Sequence, residues 1–509
     1  MKKLAVYLFV MIFALPAATL AYGASHNQAP KASAPTAPPP AKVTQGSVTI
    51  NGQTIRYTAT AGSIVLKNDK GAPTASMFYI AYTKNDAKPD SRPVTFAYNG
   101  GPGGSSVLVN LGGFGPMRVT TTNAKPTPPA PYTLKKNPYS LLDKTDLVFI
   151  DAVGTGYSRL MGKSKPKDFY GADQDVRAFG DFIERYLAMN DRWNSPKFLL
   201  GESYGTPRSA MLADWLQNQG IALNGVILLS SILNFNDSLW FQPPGSNDLP
   251  YELYLPSYAA IAWYHNKLPN KPKSLPDFVQ KVREFALGQY AQALMAGDSI
   301  SPAQENAVVT KLHEYTGLSE TYLKETKLRI APGRFMKQLL RGEARTVGRY
   351  DARYEGIDYD SAGERPGYDP SGTAVFPPVV AAFHNYLQND LKYKSDEKYI
   401  FLSYKVNGAW DWHHRVDGHK YPVPDTLPDL RDAMTQNPHL MVFSGNGYFD
   451  LATPFFKTQY ELNHMGLAPS LQKNISFHFY REGHMLYIRT SGLQKLQKNL
   501  DAFYDSATK

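Results

Sequence analysis

From Ser47 onward, apolar and polar positions alternate in short β-like runs. The first is Ser47-Val48-Thr49-Ile50, followed by the hairpin turn Asn51-Gly52, and a later one is Met77-Phe78-Tyr79-Ile80-Ala81-Tyr82. Beyond Pro93 the pattern changes to short, continuously apolar runs at 94–98, 147–150, 198–200, 226–229, 440–443 and 475–479. Such runs are too short for helices and have no polar face, which suits strands covered on both sides. Helix-like stretches at 174–187 and 207–217 lie between them. Strand and helix in repetition predict an α/β fold, with a mostly parallel central sheet and helices on both faces. Ligands of such sheets sit at the carboxyl ends of the strands, so chemistry is expected just after each run.

The rest of the chain breaks this rhythm at both ends of the core. Residues 1–24 read as a signal peptide, with Lys2 and Lys3 ahead of an apolar run that closes in small residues. Residues 25–45, with Ala29-Pro30, Ala34-Pro35 and Ala37-Pro38-Pro39-Pro40, read as an extended Pro/Ala-rich linker. The sheet-bearing core then occupies 46–233 and 432–509. Between them, 234–431 is too long for a loop and too irregular to continue the sheet, so it is expected to be an inserted cap.

Composition narrows the function classes. At 43% hydrophobic and 19% charged, the chain has ordinary globular character. Its net charge of +10 is spread out rather than gathered in a basic block, which argues against nucleic acid as a partner. There is no cysteine, which excludes a thiol nucleophile, a disulfide framework and cysteine-ligated zinc. Export without cysteine points to a bacterial-type periplasmic or secreted protein, with no stable membrane insertion after signal cleavage.

The candidate chemistry falls where the strand pattern places it. Gly201-Glu202-Ser203-Tyr204-Gly205 follows the run at 198–200 and opens a helix-like stretch, the strand–turn–helix setting of a G-x-S-x-G nucleophile. An acid and then a histidine are expected later in the chain. Asp450 follows the run at 440–443 and His484 follows the run at 475–479. Ser203 is thus the candidate nucleophile, His484 the base and then acid, and Asp450 the group that orients the imidazolium. The glycine-rich turn Asn99-Gly100-Gly101-Pro102-Gly103-Gly104-Ser105-Ser106 follows the run at 94–98 and offers backbone donors for an oxyanion, together with the amide of Tyr204. It lacks the Gly-Lys-Ser/Thr ending of a phosphate loop. His413, His414 and His419 match no zinc spacing and read as a polar aromatic loop, so no metal and no cofactor are expected.

Asn99 to Ser106, Gly201 to Thr206 and Gly483-His484-Met485 together resemble the serine carboxypeptidase (peptidase S10) family, with further likeness at Met77 to Thr83 and Asp151 to Ser158. The resemblance implies release of C-terminal residues from peptides through an acyl-enzyme, with peptides as partners. It implies oxyanion donors at Gly101 and Tyr204, and carboxylate recognition by Asn99, the Gly100 amide and protonated Glu202. Two ionised carboxylates in contact repel, so that recognition favours acidic pH. The chain departs from the family pattern at Gly104, which replaces a cysteine, and at Thr206, which replaces a glycine. It also departs at Gly113, two residues before Gly115-Pro116, where the family usually has a second glutamate. That last departure leaves an esterase or acyltransferase on the same scaffold as the alternative, with a non-catalytic binding protein behind it.

Overall fold

The computed structural model describes residues 37–243, 245 and 247–509. The signal segment 1–24 and most of the linker lie outside the described residues. The strands of the main sheet are β1 (Lys42–Ile50), β2 (Gln53–Lys67), β3 (Pro73–Lys84), β4 (Val94–Tyr98), β5 (Asp146–Ile150), β6 (Arg159–Leu160), β7 (Lys197–Glu202), β8 (Gly225–Leu229), β9 (Met441–Gly447) and β10 (Ile475–Tyr480). They run in the order β1-β2-β3-β5-β4-β7-β8-β9-β10, with β6 paired to β3. β1, β2, β3 and β5 are joined by antiparallel pairs, whereas β5, β4, β7, β8, β9 and β10 are parallel neighbours. The expected mostly parallel sheet is therefore a mixed one, parallel in the half that carries the candidate chemistry.

β1 begins at Lys42, inside the stretch that composition assigned to the linker. The reason is local: Val43 to Gly46 pair in register with Tyr57 to Thr60 of β2, so the strand extends beyond the apolar run that announced it. Asn51 and Gly52, with φ of 50° and 79°, form the turn that sequence placed there.

The apolar runs are explained by their two covered faces. In β8, Val226 and Leu228 face one core cluster and Ile227 and Leu229 the other. The first cluster is closed by α1 (Ala172–Met189) and α2 (Gly205–Asn218), the second by residues of the C-terminal helix, Thr490–Ala507. The segment 234–431 divides by packing. Helices α3 (Leu249–Tyr264), α4 (Leu275–Phe285) and α5 (Pro302–Thr316) build a third cluster, which includes Tyr448, Phe449, Phe455 and Phe456 from beyond β9. The helix α6 (Pro370–Asn389) instead joins the second face of the main sheet through Val375, Val379 and Phe383. Among the described residues, no helix is long and apolar enough to cross a membrane.

Candidate active site

The parallel register brings the candidate residues to the carboxyl ends of the strands. Leu229 of β8 pairs with Glu202 of β7 and with Gly445 of β9, and Gly447 pairs with Tyr480 of β10. Ser203, Asp450 and His484 follow the ends of β7, β9 and β10.

Ser203 sits at the turn between β7 and α2 with φ of 59°, a left-handed conformation that is costly for a side chain bearing Cβ. The glycines make that turn possible. A Cβ on Gly201 would lie 2.0 Å from the Gly205 carbonyl oxygen. The Ser203 amide donates to Leu229 O at 3.0 Å. Its carbonyl accepts from Thr206 twice, from N at 2.8 Å and from Oγ1 at 2.7 Å. Thr206 Oγ1 in turn accepts from Ile232 N at 3.1 Å. The departure at Thr206 thus adds a strut between the turn and the loop after β8. Within 201–205, Ser203 alone is not buried.

His484 and Asp450 are in contact. His484 Nδ1 lies 2.7 Å from Asp450 Oδ2, and 3.1 Å from Thr453 Oγ1. Asp450 is fully buried and saturated with donors: Ala452 N at 2.7 Å and Thr453 N at 3.0 Å on Oδ1, and the Thr453 hydroxyl at 2.7 Å on Oδ2. The His484 backbone is pinned on both sides, donating to Tyr350 O at 2.6 Å and accepting from Ser230 Oγ at 2.6 Å. Its ring packs on Tyr350 with centroids 5.2 Å apart. Burial works against charge on the imidazole, but Asp450, aided by Glu202, outweighs it and raises the pKa. Buried, held and coupled to a carboxylate, this histidine can take a proton and keep it as an imidazolium.

The glycine-rich turn approaches the Ser203 turn closely. A Cβ on Gly100 would lie 2.3 Å from Tyr204 N and 2.8 Å from Glu202 O, so only glycine lets the two turns meet. Among the described residues, the amides of Gly101 and Tyr204 have no hydrogen-bond acceptor, and Gly101 is exposed. Asn99 is fixed from several directions. Its Oδ1 accepts from Val109 N at 3.0 Å, and its carbonyl accepts from Arg208 Nη1 at 2.9 Å. Its Nδ2 donates to Glu202 Oε1 at 3.0 Å. Glu202 also accepts from the Tyr487 hydroxyl on Oε2. Burial pushes the Glu202 carboxyl up to about 7, against the opposing pull of His484 and of its two donors.

Sequence reasoning missed Thr453, Arg208 and Tyr487, and gave Asp151 no role of its own within the segment Asp151 to Ser158. Arg208 is fully buried, donates to Asp175 Oδ2 at 2.6 Å, and lies 4.3 Å from the Phe179 ring. Asp151 accepts from Ser106 N at 2.7 Å and from the Tyr399 hydroxyl at 2.9 Å, which anchors the far end of the glycine-rich turn. Burial pushes its carboxyl up to about 7. None of these residues lies in a spacing pattern with the nucleophile, and the Met-Leu-Tyr that follows His484 carries no signal by itself. The histidine-rich loop resolves into pairings: His414 lies between Asp173 at 2.7 Å and Asp429 at 3.0 Å, and His413 against Asp411 at 2.5 Å. His419 lies in a short strand paired with His414–Val416.

Residues 53–242 match the family model described as serine carboxypeptidase. The chain is 33% identical to the pheromone-processing carboxypeptidase KEX1 of Saccharomyces cerevisiae over 156 residues, which are 28% of this chain and 20% of that protein. It is 30% identical to the serine carboxypeptidase ctsa-3.1 of Caenorhabditis elegans over 152 residues, 29% of this chain and 24% of that protein. The aligned region therefore spans less than a third of either relative. The crystal structure of the yeast KEX1 carboxypeptidase superposes with a TM-score of 0.55 at 17% identity, covering 88% of this chain and 91% of that one. With the mixed sheet and its helical layers, this likeness marks an α/β-hydrolase fold. Residues 53–242, from β2 to just beyond β8, are thus the part of the chain that is similar to the serine carboxypeptidase family.

Proposed function

We propose that this protein is a serine-type carboxypeptidase that removes C-terminal residues from peptides through an acyl-enzyme. The observation that carries the reading is the buried Glu202 carboxyl, one residue before Ser203, held by Asn99 and acted on by the Asp450–His484 pair. A carboxyl kept neutral beside a nucleophile suits recognition of a terminal carboxylate, which an ionised glutamate would repel.

In the proposed reaction, His484 accepts the Ser203 proton as Oγ attacks the last peptide carbonyl, and Asp450 steadies the imidazolium. The amides of Gly101 and Tyr204 donate to the oxyanion. His484 returns the proton to the leaving amine, and water then repeats the sequence to free the shortened peptide and Ser203. Asn99, the Gly100 amide and protonated Glu202 hold the carboxylate of the departing residue. The chain organisation proposed from sequence, with a cleaved signal and a cap inserted between β8 and β9, goes with work outside the cytoplasm, in a periplasm or after secretion.

The test is product analysis by mass spectrometry on a pair of N-blocked peptides, one a free acid and one amidated, from pH 5 to 8, with Ser203→Ala as the blank. Trimming of the free acid alone, weakening as pH rises through about 7, is the expected result. Equal cleavage of both peptides would point instead to the broader hydrolase or acyl-transfer reading that Gly113 favours. Turnover by Ser203→Ala equal to the wild type would refute the nucleophile.

A further inference from the structure

Glu202 ends β7 with both carboxyl oxygens engaged, Oε1 by Asn99 from the loop after β4 and Oε2 by the Tyr487 hydroxyl from the loop after β10. The charged groups that act on it are His484 and Asp450, from the loops after β10 and β9. Gly113, in the π-helical turn Leu108–Phe114, comes up against the same ring. A Cβ built at Gly113 would lie 2.9 Å from Tyr487 Cγ and 3.0 Å from Cδ2, closer than real side chains come. The Phe114 ring, 5.4 Å away centroid to centroid, packs on Tyr487 edge-on. Tyr487 is wholly buried, so its place is fixed by packing rather than by solvent. The absent side chain at 113 and the present one at 487 therefore occupy one volume, and only one of them can be there.

We propose that Tyr487 is the positioning partner of Glu202 in the subsite for the substrate's terminal carboxylate, a phenol–carboxyl pair that replaces a pair of carboxyls. The proposal rests on the carboxypeptidase reading and adds to it which residue completes the subsite. Its chemical consequence is a change in proton count. Two facing carboxyls titrate in two coupled steps. Burial, together with the neighbouring Glu202, raises the Tyr487 phenol well above its ordinary value, so it stays protonated throughout the working range. One proton, that of Glu202, then governs carboxylate binding. The phenol donates to Glu202 and favours its ionised form, opposing burial. Removing the hydroxyl therefore raises the pH at which Glu202 loses its proton.

The test compares wild type with Tyr487→Phe, which keeps the ring and its packing, in steady-state kinetics from pH 5 to 9 on the free-acid and amidated peptides. For the wild type, KM for the free acid should climb tenfold per pH unit above about pH 7, with the slope of a single proton. In Tyr487→Phe that break should move up by about one pH unit, the scale of a hydrogen bond to a charged acceptor. The change should fall in KM rather than kcat, and KM for the amide should not follow it. An unmoved break, or equal changes in KM for both peptides, would overturn the proposal. In parallel, the Glu202 carboxyl band is titrated by infrared difference spectroscopy in Ser203→Ala and assigned by its loss in Glu202→Gln. An upward shift of its midpoint with Tyr487→Phe is expected, and no shift would overturn the pairing. If the band shifts but the wild type shows no preference for the free acid, the carboxypeptidase reading fails, and the carboxylate role of the pair fails with it.

Discussion

Asp450→Asn tests the proposed triad with the least disturbance, because the new side chain has the same shape. Its two possible orientations have very different costs. If the amide nitrogen replaced Oδ1, it would face the N–H groups of Ala452 and Thr453, now 2.7 and 3.0 Å away, and leave both without an acceptor. A buried donor left unsatisfied costs about 1–3 kcal/mol, so this orientation loses about 2–6 kcal/mol. In the other orientation the carbonyl keeps both backbone donors, and the NH2 faces Thr453 Oγ1 and His484 Nδ1, where Oδ2 lay 2.7 Å from each. The hydroxyl can accept from it, and the imidazole can accept by moving its own proton to Nε2. The second arrangement is favoured, and it leaves Nε2 unable to take the Ser203 proton. The expected loss in kcat is about ten-thousand-fold, about 5 kcal/mol of transition-state stabilisation, with much less change in KM. Active-site titration and steady-state hydrolysis of the free-acid peptide measure it, with thermal unfolding as the check on folding. A folded Asp450→Asn enzyme retaining kcat within tenfold of the wild type would refute the assignment of Asp450 as the group that fixes the histidine.

Two further predictions concern stability and pH. Burial disfavours charge on His414, but the hydrogen bonds its ring donates to Asp173 and Asp429 outweigh it and push it up to about 9. Its contribution is fully present below pH 6.5 and lost as pH rises through 9, so the Tm deficit of His414→Gln should shrink between pH 7 and pH 10; a constant deficit would count against the ion pairs. Asp151, pushed up from 3.8 to about 7 by burial, binds its proton more tightly folded than unfolded, so stability falls as pH rises from 3.8 through 7. Asp151→Asn should therefore compare more favourably with wild type at pH 8 than at pH 5 in thermal unfolding, and an equal difference at both would sink the reasoning.

How much of this was legible beforehand depended on whether a residue's role was written in its neighbours. The parallel strands were, because 94–98, 198–200 and 226–229 must be apolar on both faces once helices cover both. The outer antiparallel strands were less so. β1 extends to Lys42 because β2 offers it a partner, and its own composition there is polar. The turn at Ser203 was legible because Gly201 and Gly205 are dictated by backbone contact. Asp450 and His484 were singled out by chain order and strand ends, and the fold brings their side chains into contact. Tyr487 was not legible, since nothing local says that a ring three residues past His484 turns back toward Glu202 and Gly113. Arg208 was hidden for the same reason, since it acts across the fold on Asn99 and Asp175, whereas Thr453 binds Asp450 only three residues away and nothing in the local sequence marks that contact. The mixed fate of 234–431 was equally hidden, because whether a helix such as α6 covers the sheet or builds its own core is a tertiary outcome.

The pairing of β8 with β9 has a temporal meaning. Synthesis runs from the N-terminus, so the Ser203 turn, the glycine-rich turn and four of the six parallel strands emerge long before Asp450 and His484. Closing that wide loop is entropically costly and slow, and the pair of β9 with β10 can form only after residues 475–480 have been made. A nascent or truncated chain thus carries its serine without a base to activate it. Under the proposed chemistry the order of strands acts as a timer, and proteolytic competence arrives with the final strand.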